Sequence, residues 1–312
     1  MSGTGPQVPA PRLLVAEGWR DYALLDSGAG LKLERFGPQR VIRPEPQALW
    51  TPARPEADWT AAAARFAGGE DAGARWQGGE SLPPGWEMTY GAIRFEARLT
   101  GFRHLGVFPE QAVHWDWLAP LAAPGRDGRP PEILNLFGYT GLASLVAASA
   151  GAAVTHLDAS RKAIDWGRRN QALSGLDDAP IRWICDDALK FLRRERRRGR
   201  RYDGIVLDPP KYGRGPKGEV WDLYAGLPEL LGLCAGLLRP DARFLVATAY
   251  AIRLSSVSLH LALAEALAAA LGRDRGENRG GELEHGEMAV RDAAGRPLSA
   301  AVFARWQGAP AP

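Results

Sequence analysis

Only two cysteines, Cys185 and Cys234, occur in the 312 residues, and both fall within apolar patterns. That excludes a disulfide framework and a thiolate metal site, and it points to a reducing, cytoplasmic setting. No apolar run reaches the length of a membrane span. Residues 1–12, rich in Gly, Pro and Ser, lack the basic-then-apolar layout of a secretory leader and read as a disordered tail. Lysine is scarce beside arginine, while alanine, glycine and proline abound. A GC-rich genome produces that bias without functional cause, which weakens any argument from arginine clusters. The net charge of +3 gives only slight encouragement for a nucleic-acid partner. The length allows one large or two modest domains with a sizeable core.

The most informative stretch is P-E-I-L-N-L-F-G-Y-T-G, residues 131–141. Ile133–Phe137 reads as a short buried strand, Gly138 breaks it, and Thr140 can cap a helix that opens at Gly141 and runs to about Ala150. Strand, glycine turn and helix form the nucleotide cleft of open α/β sheets. A second apolar run, 152–157, ends in Asp158, twenty positions after Gly138, where a carboxylate can accept both hydroxyls of a ribose. The dinucleotide fingerprint G-x-G-x-x-G is missing, because bulky Tyr139 stands where a second glycine would let a pyrophosphate approach. The loop therefore suits a ligand with ribose and adenine but no phosphate, and S-adenosylmethionine fits that description. The plain alternative is a strand–turn–helix with no ligand.

Downstream, strands and helices alternate. A helix over 160–173, with Ser160 as N-cap and Gly175 just beyond it, precedes a strand at 181–185 ending in Asp186-Asp187. A helix from 188 to about 196 leads to a strand at 202–207 ending in Asp208. A helix near 222–238, a strand at 242–250 and a helix at 256–271 follow, then two strands near 282–290 and 298–306. This alternation predicts a Rossmann-like, doubly wound, mostly parallel seven-stranded sheet with an antiparallel edge. Four predicted strands carry the glycine turn, Asp158, Asp186 and Asp208 at their carboxyl ends, although Asp186 or Asp187 would also serve as an ordinary helix cap. By polarity, Asp158 takes the ribose, Asp186 accepts from the adenine amine, and Asp208 lies at the reacting end, where its field suits a sulfonium.

Residues 13–95 read as a small β-rich N-terminal region and linker, and 96–312 as the catalytic domain. Within 13–50, R-L-L-V-A, D-Y-A-L-L-D-S-G and G-L-K-L-E-R-F-G are strand-like. Residues 51–83 look like a linker with a helix at 59–66. Trp50, Trp59, Trp76 and Trp86 are expected to pack between lobes rather than stack on bases. A hairpin at 86–99 turns at Tyr90-Gly91, and 111–118 has helical spacing that suits a lid. The run R-R-E-R-R-R-G-R-R, 193–201, either grips phosphates or complements a helix C-terminus in solvent; the second reading is preferred.

Asp208 opens D-P-P-K-Y. Pro209 and Pro210 stiffen the turn and offer carbonyls without competing N–H groups, and Tyr212 can stack on a planar base. Together L-F-G-Y-T-G, Asp158, C-D-D-A and L-D-P-P-K-Y resemble the class I S-adenosylmethionine-dependent methyltransferases of bacterial large-subunit ribosomal RNA, in the branch that includes cytosine-C5 and guanine-N7 enzymes. The similarity covers roughly 95–306, including L-T-G-F-R-H-L-G-V-F-P-E-Q, where Glu110 and Ala112 replace that branch's acid and arginine. It implies cofactor contacts from Phe108, Gln111, Phe137, Gly138, Tyr139, Thr140, Gly141, Asp158, Ala159, Asp186, Asp187 and Asp208. It implies catalytic roles for Asp208, Pro209, Pro210 and Tyr212. One departure decides the mechanism: the branch's cytosine-C5 enzymes place a cysteine after the strand corresponding to 242–248, and this chain has A-T-A-Y-A there. A covalent thiolate route is disfavoured, and direct displacement onto a nucleobase of RNA remains. The alternatives are a methyltransferase for a small aromatic or nitrogenous metabolite, and an RNA-binding module with a vestigial cleft. Neither membrane nor metal is expected, and a homo-oligomer is left open.

Overall fold

The computed structural model describes residues 8–68, 75–126, 128–250, 254–271 and 281–309. Its centre is a twisted sheet in which neighbouring strands run, from one edge to the other, Arg12–Ala16, Glu282–Arg291, Pro297–Gln307, Phe244–Tyr250, Gly204–Leu207, Glu132–Leu136, Ala153–Asp158 and Ile181–Cys185. All are parallel except Pro297–Gln307, which is antiparallel to both neighbours. Leu136 is in register with both Leu157 and Leu207, so three strands end level at the carboxyl edge. Strand order reverses beside Glu132–Leu136, and that reversal opens a crevice.

The strands are apolar on both faces because helices cover both. Ile133, Val154, Val206 and Val246 enter one core, with the helices Ala112–Leu121 and Leu142–Ser149. Their sequence neighbours Leu134, Ile205, Leu207 and Leu245 enter the other, under Ala188–Arg197, Leu223–Gly236 and Ser256–Leu271. The caps expected at Ser160 and Asp187 form, accepting from the backbone N–H of Ala163 and Lys190, and Asp222 caps the next helix by accepting from Ala225. Thr140 does not cap. Gly141, at φ 88°, is the N-cap of Leu142–Ser149, and the Thr140 hydroxyl instead donates to the buried Gly106 carbonyl at 2.6 Å.

The sheet has eight strands rather than the expected seven. Arg12–Ala16 leaves the N-terminal β unit and pairs parallel to Gly286–Val290. Gly286 permits this, because a Cβ there would overlap the Arg12 backbone. The N-terminal unit is a five-stranded sheet of Tyr22–Gly28, Leu31–Phe36, Gln39–Pro44, Ala64–Ala67 and Arg75–Gly78. The helix expected at 59–66 is a single turn, Glu56–Thr60, and Ala64–Ala67 and Arg75–Gly78 are strands. Alternation of buried Ala64 and Phe66 with exposed Arg65 was hidden by the polar surroundings, and Phe66 meets the Trp76 ring edge-on at 5.3 Å. Tyr22, Phe36, Met88 and Phe95 share one core with the helix Ala112–Leu121, so the unit is packed onto the large sheet's flank. Of the four tryptophans, Trp86 is buried and Trp50 and Trp76 pack on this core, while Trp59 donates to Asp26 at 3.2 Å. The tail expected over residues 1–12 lies outside the described residues up to residue 7, and its end, Arg12, begins a strand.

Candidate active site

The glycine turn is built under strain. Phe137 and Tyr139 both have positive φ, 56° and 50°, which costs a non-glycine residue free energy and persists only where surroundings demand it. The demand comes from below. Gly138 lies on a buried polar cluster in which Ser144 bridges Asn135 and His156 at 2.8 and 2.9 Å, and a Cβ at 138 would overlap the His156 ring. With Gly138 pressed down, the flanking rings splay: Phe137 meets Trp221 at 5.4 Å and Tyr139 meets Phe108 at 5.8 Å. Burial pushes the Tyr139 hydroxyl up to about 12 and holds His156 down to about 3, so both stay neutral.

Over this turn opens a cavity of about 650 Å³. At one end lies Asp158, which accepts from the backbone N–H of Tyr139 at 2.9 Å and of Ser160 at 2.8 Å. Burial raises its carboxyl above the usual range, and those two donors oppose the shift. Ala159 lines the wall beside it. Asp186 follows, held by Arg194 and by the N–H of Asp187, while Asp187 itself is spent as a helix cap.

Asp208 lies at the other end. Its carboxylate accepts from Thr248 Oγ1 at 2.7 Å and Gln111 Nε2 at 3.0 Å, and Gln111 also reaches the Tyr250 hydroxyl at 3.0 Å. Desolvation pushes Asp208 up to about 7, assisted by the charge of buried Glu110, whose own carboxyl is also raised by desolvation. Beyond Asp208, Pro209 and Pro210 line the cavity, and the Pro210 carbonyl accepts from the Trp221 indole at 2.7 Å. Tyr212 is exposed and opens a short hairpin, Tyr212–Arg214 with Val220–Asp222.

Most of the residues marked in the sequence therefore meet at one crevice. Gln111, Gly138 and Thr140 line a smaller recess that shares Phe108, Tyr139 and Asp208 with the main cavity. Gly141 lines neither; it is small because the Trp183 ring packs against it. Sequence reading missed Thr248 and Tyr250, although two polar residues inside an apolar strand were a usable signal. It also missed Lys32, Arg43 and His104, which bring the N-terminal unit and its following loop into the cavity wall. No local pattern marks them. Burial and nearby Arg43 hold His104 down to about 3. Cys185 donates to the Ala159 carbonyl and Cys234 is fully buried with its thiol pushed up, so neither presents a thiolate to the cavity.

A doubly wound sheet with Asp158, Asp186 and Asp208 around one crevice at its carboxyl edge is the arrangement in which open α/β sheets bind nucleotides. A family model for S-adenosylmethionine-dependent methyltransferases matches residues 51–244, and the chain belongs to that family. It is 48% identical to the SAM-dependent methyltransferase from Agrobacterium tumefaciens, with a TM-score of 0.89 over 98% of this chain and 97% of that one. It is 34% identical over 158 residues to ribosomal RNA large subunit methyltransferase K/L of Shewanella frigidimarina, covering 50% of this chain and 21% of that protein. It is 37% identical over 125 residues to ribosomal RNA large subunit methyltransferase I of Shewanella amazonensis, covering 40% and 31%. The chain thus spans less than a third of these curated relatives. Among the described residues no helix is long and apolar enough to cross a membrane.

Proposed function

We propose that this methyltransferase acts on a nucleobase of RNA, with large-subunit ribosomal RNA as its target, in the cytoplasm and without a cysteine adduct. The observation that carries the reading is that one cavity is lined by Asp158, Asp186 and Asp208 together with the Pro209-Pro210 turn and the exposed ring of Tyr212. Its volume, about 650 Å³, has room for a nucleoside-sized donor and a planar acceptor end to end. The names of the curated relatives favour RNA as the acceptor.

S-adenosylmethionine supplies a methyl group on a sulfonium, which needs little covalent help to leave. The chain's contribution is placement. Asp158 accepts from the ribose, and Asp186, fixed by Arg194, accepts from the adenine edge. Phe108, Tyr139 and Tyr250 form a connected ring cluster, with centroids 5.8 and 5.1 Å from Phe108, that excludes water from the reacting end. Asp208 and the Pro209 carbonyl receive the acceptor's N–H groups, the Pro210 carbonyl is held by the Trp221 indole and fixes the turn, and Tyr212 covers the acceptor's face. With its affinity near 7, Asp208 can take the proton that a methylated nitrogen releases. Residues 13–95 serve as the acceptor-side unit.

The test is transfer of isotope-labelled methyl to ribosomal RNA transcripts, with mass spectrometry of ribosomal RNA from a deletion strain to locate the base. Label in RNA and one lost modification are expected. Tight cofactor binding with no RNA labelled, and an unchanged modification set in the deletion strain, would reject the reading.

A further inference from the structure

We infer that the mouth of the cavity is a stacking site for single-stranded RNA, in which Phe102, away from the reacting centre, holds a nucleotide flanking the target base. The inference rests on the proposed RNA acceptor and specifies its form. Among the described residues three aromatic side chains are exposed: Phe102 at 74%, Tyr212 at 56% and Tyr224 at 49%. Tyr212 lines the cavity, and the other two stand next in sequence to residues that line it or bond to its lining. Phe102 immediately precedes Arg103 and His104, which line the cavity, and Tyr212 lines it directly. Tyr224 sits on the helix start that is tied to the same hairpin, through the Leu223 N–H donating to the Lys211 carbonyl at 3.0 Å. Single exposed apolar residues are ordinary, but exposed rings on or adjoining the cavity lining, from two segments far apart in sequence, form a surface with a use.

The exposure of Phe102 is fixed rather than incidental. Thr100 Oγ1 accepts from the Phe102 N–H at 3.0 Å and donates to the His104 carbonyl at 2.9 Å, and the Trp76 indole donates to the Phe102 carbonyl at 3.2 Å. The turn is held from both sides while its ring contributes little to the core. Charge points to the same occupant. Arg103, Lys211 and Arg214 line the cavity, and among the described residues no carboxylate lies within ion-pairing distance of any of them. The arginine run differs: Arg193, Arg194, Arg198 and Arg200 are all paired with acidic side chains. Free cations interleaved with ring faces are what a single strand requires, because phosphates and unstacked bases alternate along it. A duplex hides its base faces, and a metabolite inside the cavity would not need Phe102.

The test is fluorescence anisotropy of a labelled single-stranded RNA 12-mer with the full chain in the presence of S-adenosylhomocysteine, so that no transfer is required. A hairpin duplex of equal length is the comparison. The single strand should bind about tenfold tighter or more. Phe102→Ala should weaken it about 5- to 100-fold, and Phe102→Trp should restore it. Arg103→Gln should lower the slope of affinity against salt by about one phosphate contact. Leu261→Ala, an exposed apolar change on another helix, should have no effect. Cofactor affinity should be unchanged throughout. Equal affinity for the duplex, wild-type affinity in Phe102→Ala, or no RNA binding would each overturn the inference. Methyl transfer to RNA with unaltered Phe102→Ala binding would leave the proposed function standing and reject only the stacking site. Binding with the expected losses but no transfer to any RNA would do the reverse.

Discussion

Asp158 and Tyr212 both line the cavity, and under the proposed reading one serves the donor and the other the acceptor, so their variants should separate in assays. Asp158→Ala should weaken S-adenosylmethionine binding by about 1–3 kcal/mol, because it strands the ribose hydroxyls and the N–H groups of Tyr139 and Ser160. Calorimetry returning wild-type affinity would dismiss that role. Tyr212→Phe keeps the ring face and should cost little. Tyr212→Ala should cost about 1–3 kcal/mol in apparent transition-state binding, with cofactor affinity unchanged. Single-turnover kinetics on RNA fragments distinguishes the roles: equal losses for Phe and Ala would assign the effect to the hydroxyl, and no loss would place Tyr212 outside the site. Both residues were visible in the sequence, since each stands at or just beyond a strand end. Gln111 was marked too, but its bond to Asp208 was not, and Thr248 was missed, because they lie 97 and 40 positions away and meet Asp208 only across the sheet edge.

At the scale of elements, the strand Arg12–Ala16 depends on one small residue on its neighbour. Gly286→Ala should detach it, since the new methyl has only the Arg12 backbone to displace. Hydrogen exchange should show lost protection at residues 12–16 and a lower Tm. Cofactor affinity should hold, because Asp158 and Asp208 project from strands on the other side of the antiparallel Pro297–Gln307. Retained protection at 12–16 would mean the edge tolerates a shift. The parallel strands themselves were legible as apolar runs ended by turn residues. The hairpin Tyr212–Asp222 was not, because its six paired positions carry little β pattern; its Trp221 indole is held by the Pro210 carbonyl, a contact no periodicity marks.

For the whole molecule, burial of Asp208 links stability to pH. Its affinity in the folded state, about 7, exceeds the unfolded carboxyl value of about 3.9, so between these limits the native state holds the extra proton. Stability from this group is therefore full at the acid end and falls as pH rises from about 4 to about 7. Glu110, also raised, acts in the same direction. Denaturant titrations should show the wild type losing stability relative to Asp208→Asn between pH 5 and pH 8, and parallel curves would refute the linkage. The cysteines supply a second global test. Replacing both Cys185 and Cys234 by alanine should leave turnover within about tenfold of wild type, once stability loss at buried Cys234 is corrected for. Abolished transfer in the folded double variant, with a trapped RNA adduct in the parent, would restore a thiolate route.

The amino-acid order by itself determined the strands and helices of the large sheet, the Ser160, Asp187 and Asp222 caps, and the row of groups at the carboxyl edge. Those features depend on short-range causes: apolar periodicity, side-chain acceptors next to helix starts, and glycine where the backbone must turn. Tertiary structure alone decided which of these groups meet. It drew Thr140 away from capping to satisfy the Gly106 carbonyl, neutralised much of the arginine run through carboxylates on other segments, and moved Arg12–Ala16 across the molecule to an open sheet edge. It also brought Lys32 and Arg43 from the N-terminal sheet into the wall of a cavity whose opposite end begins more than a hundred residues later. The physical reason is common to all four: a buried donor, a charge or an unpaired strand edge takes the nearest partner in space, and that neighbour is set by the packing of distant surfaces rather than by local sequence.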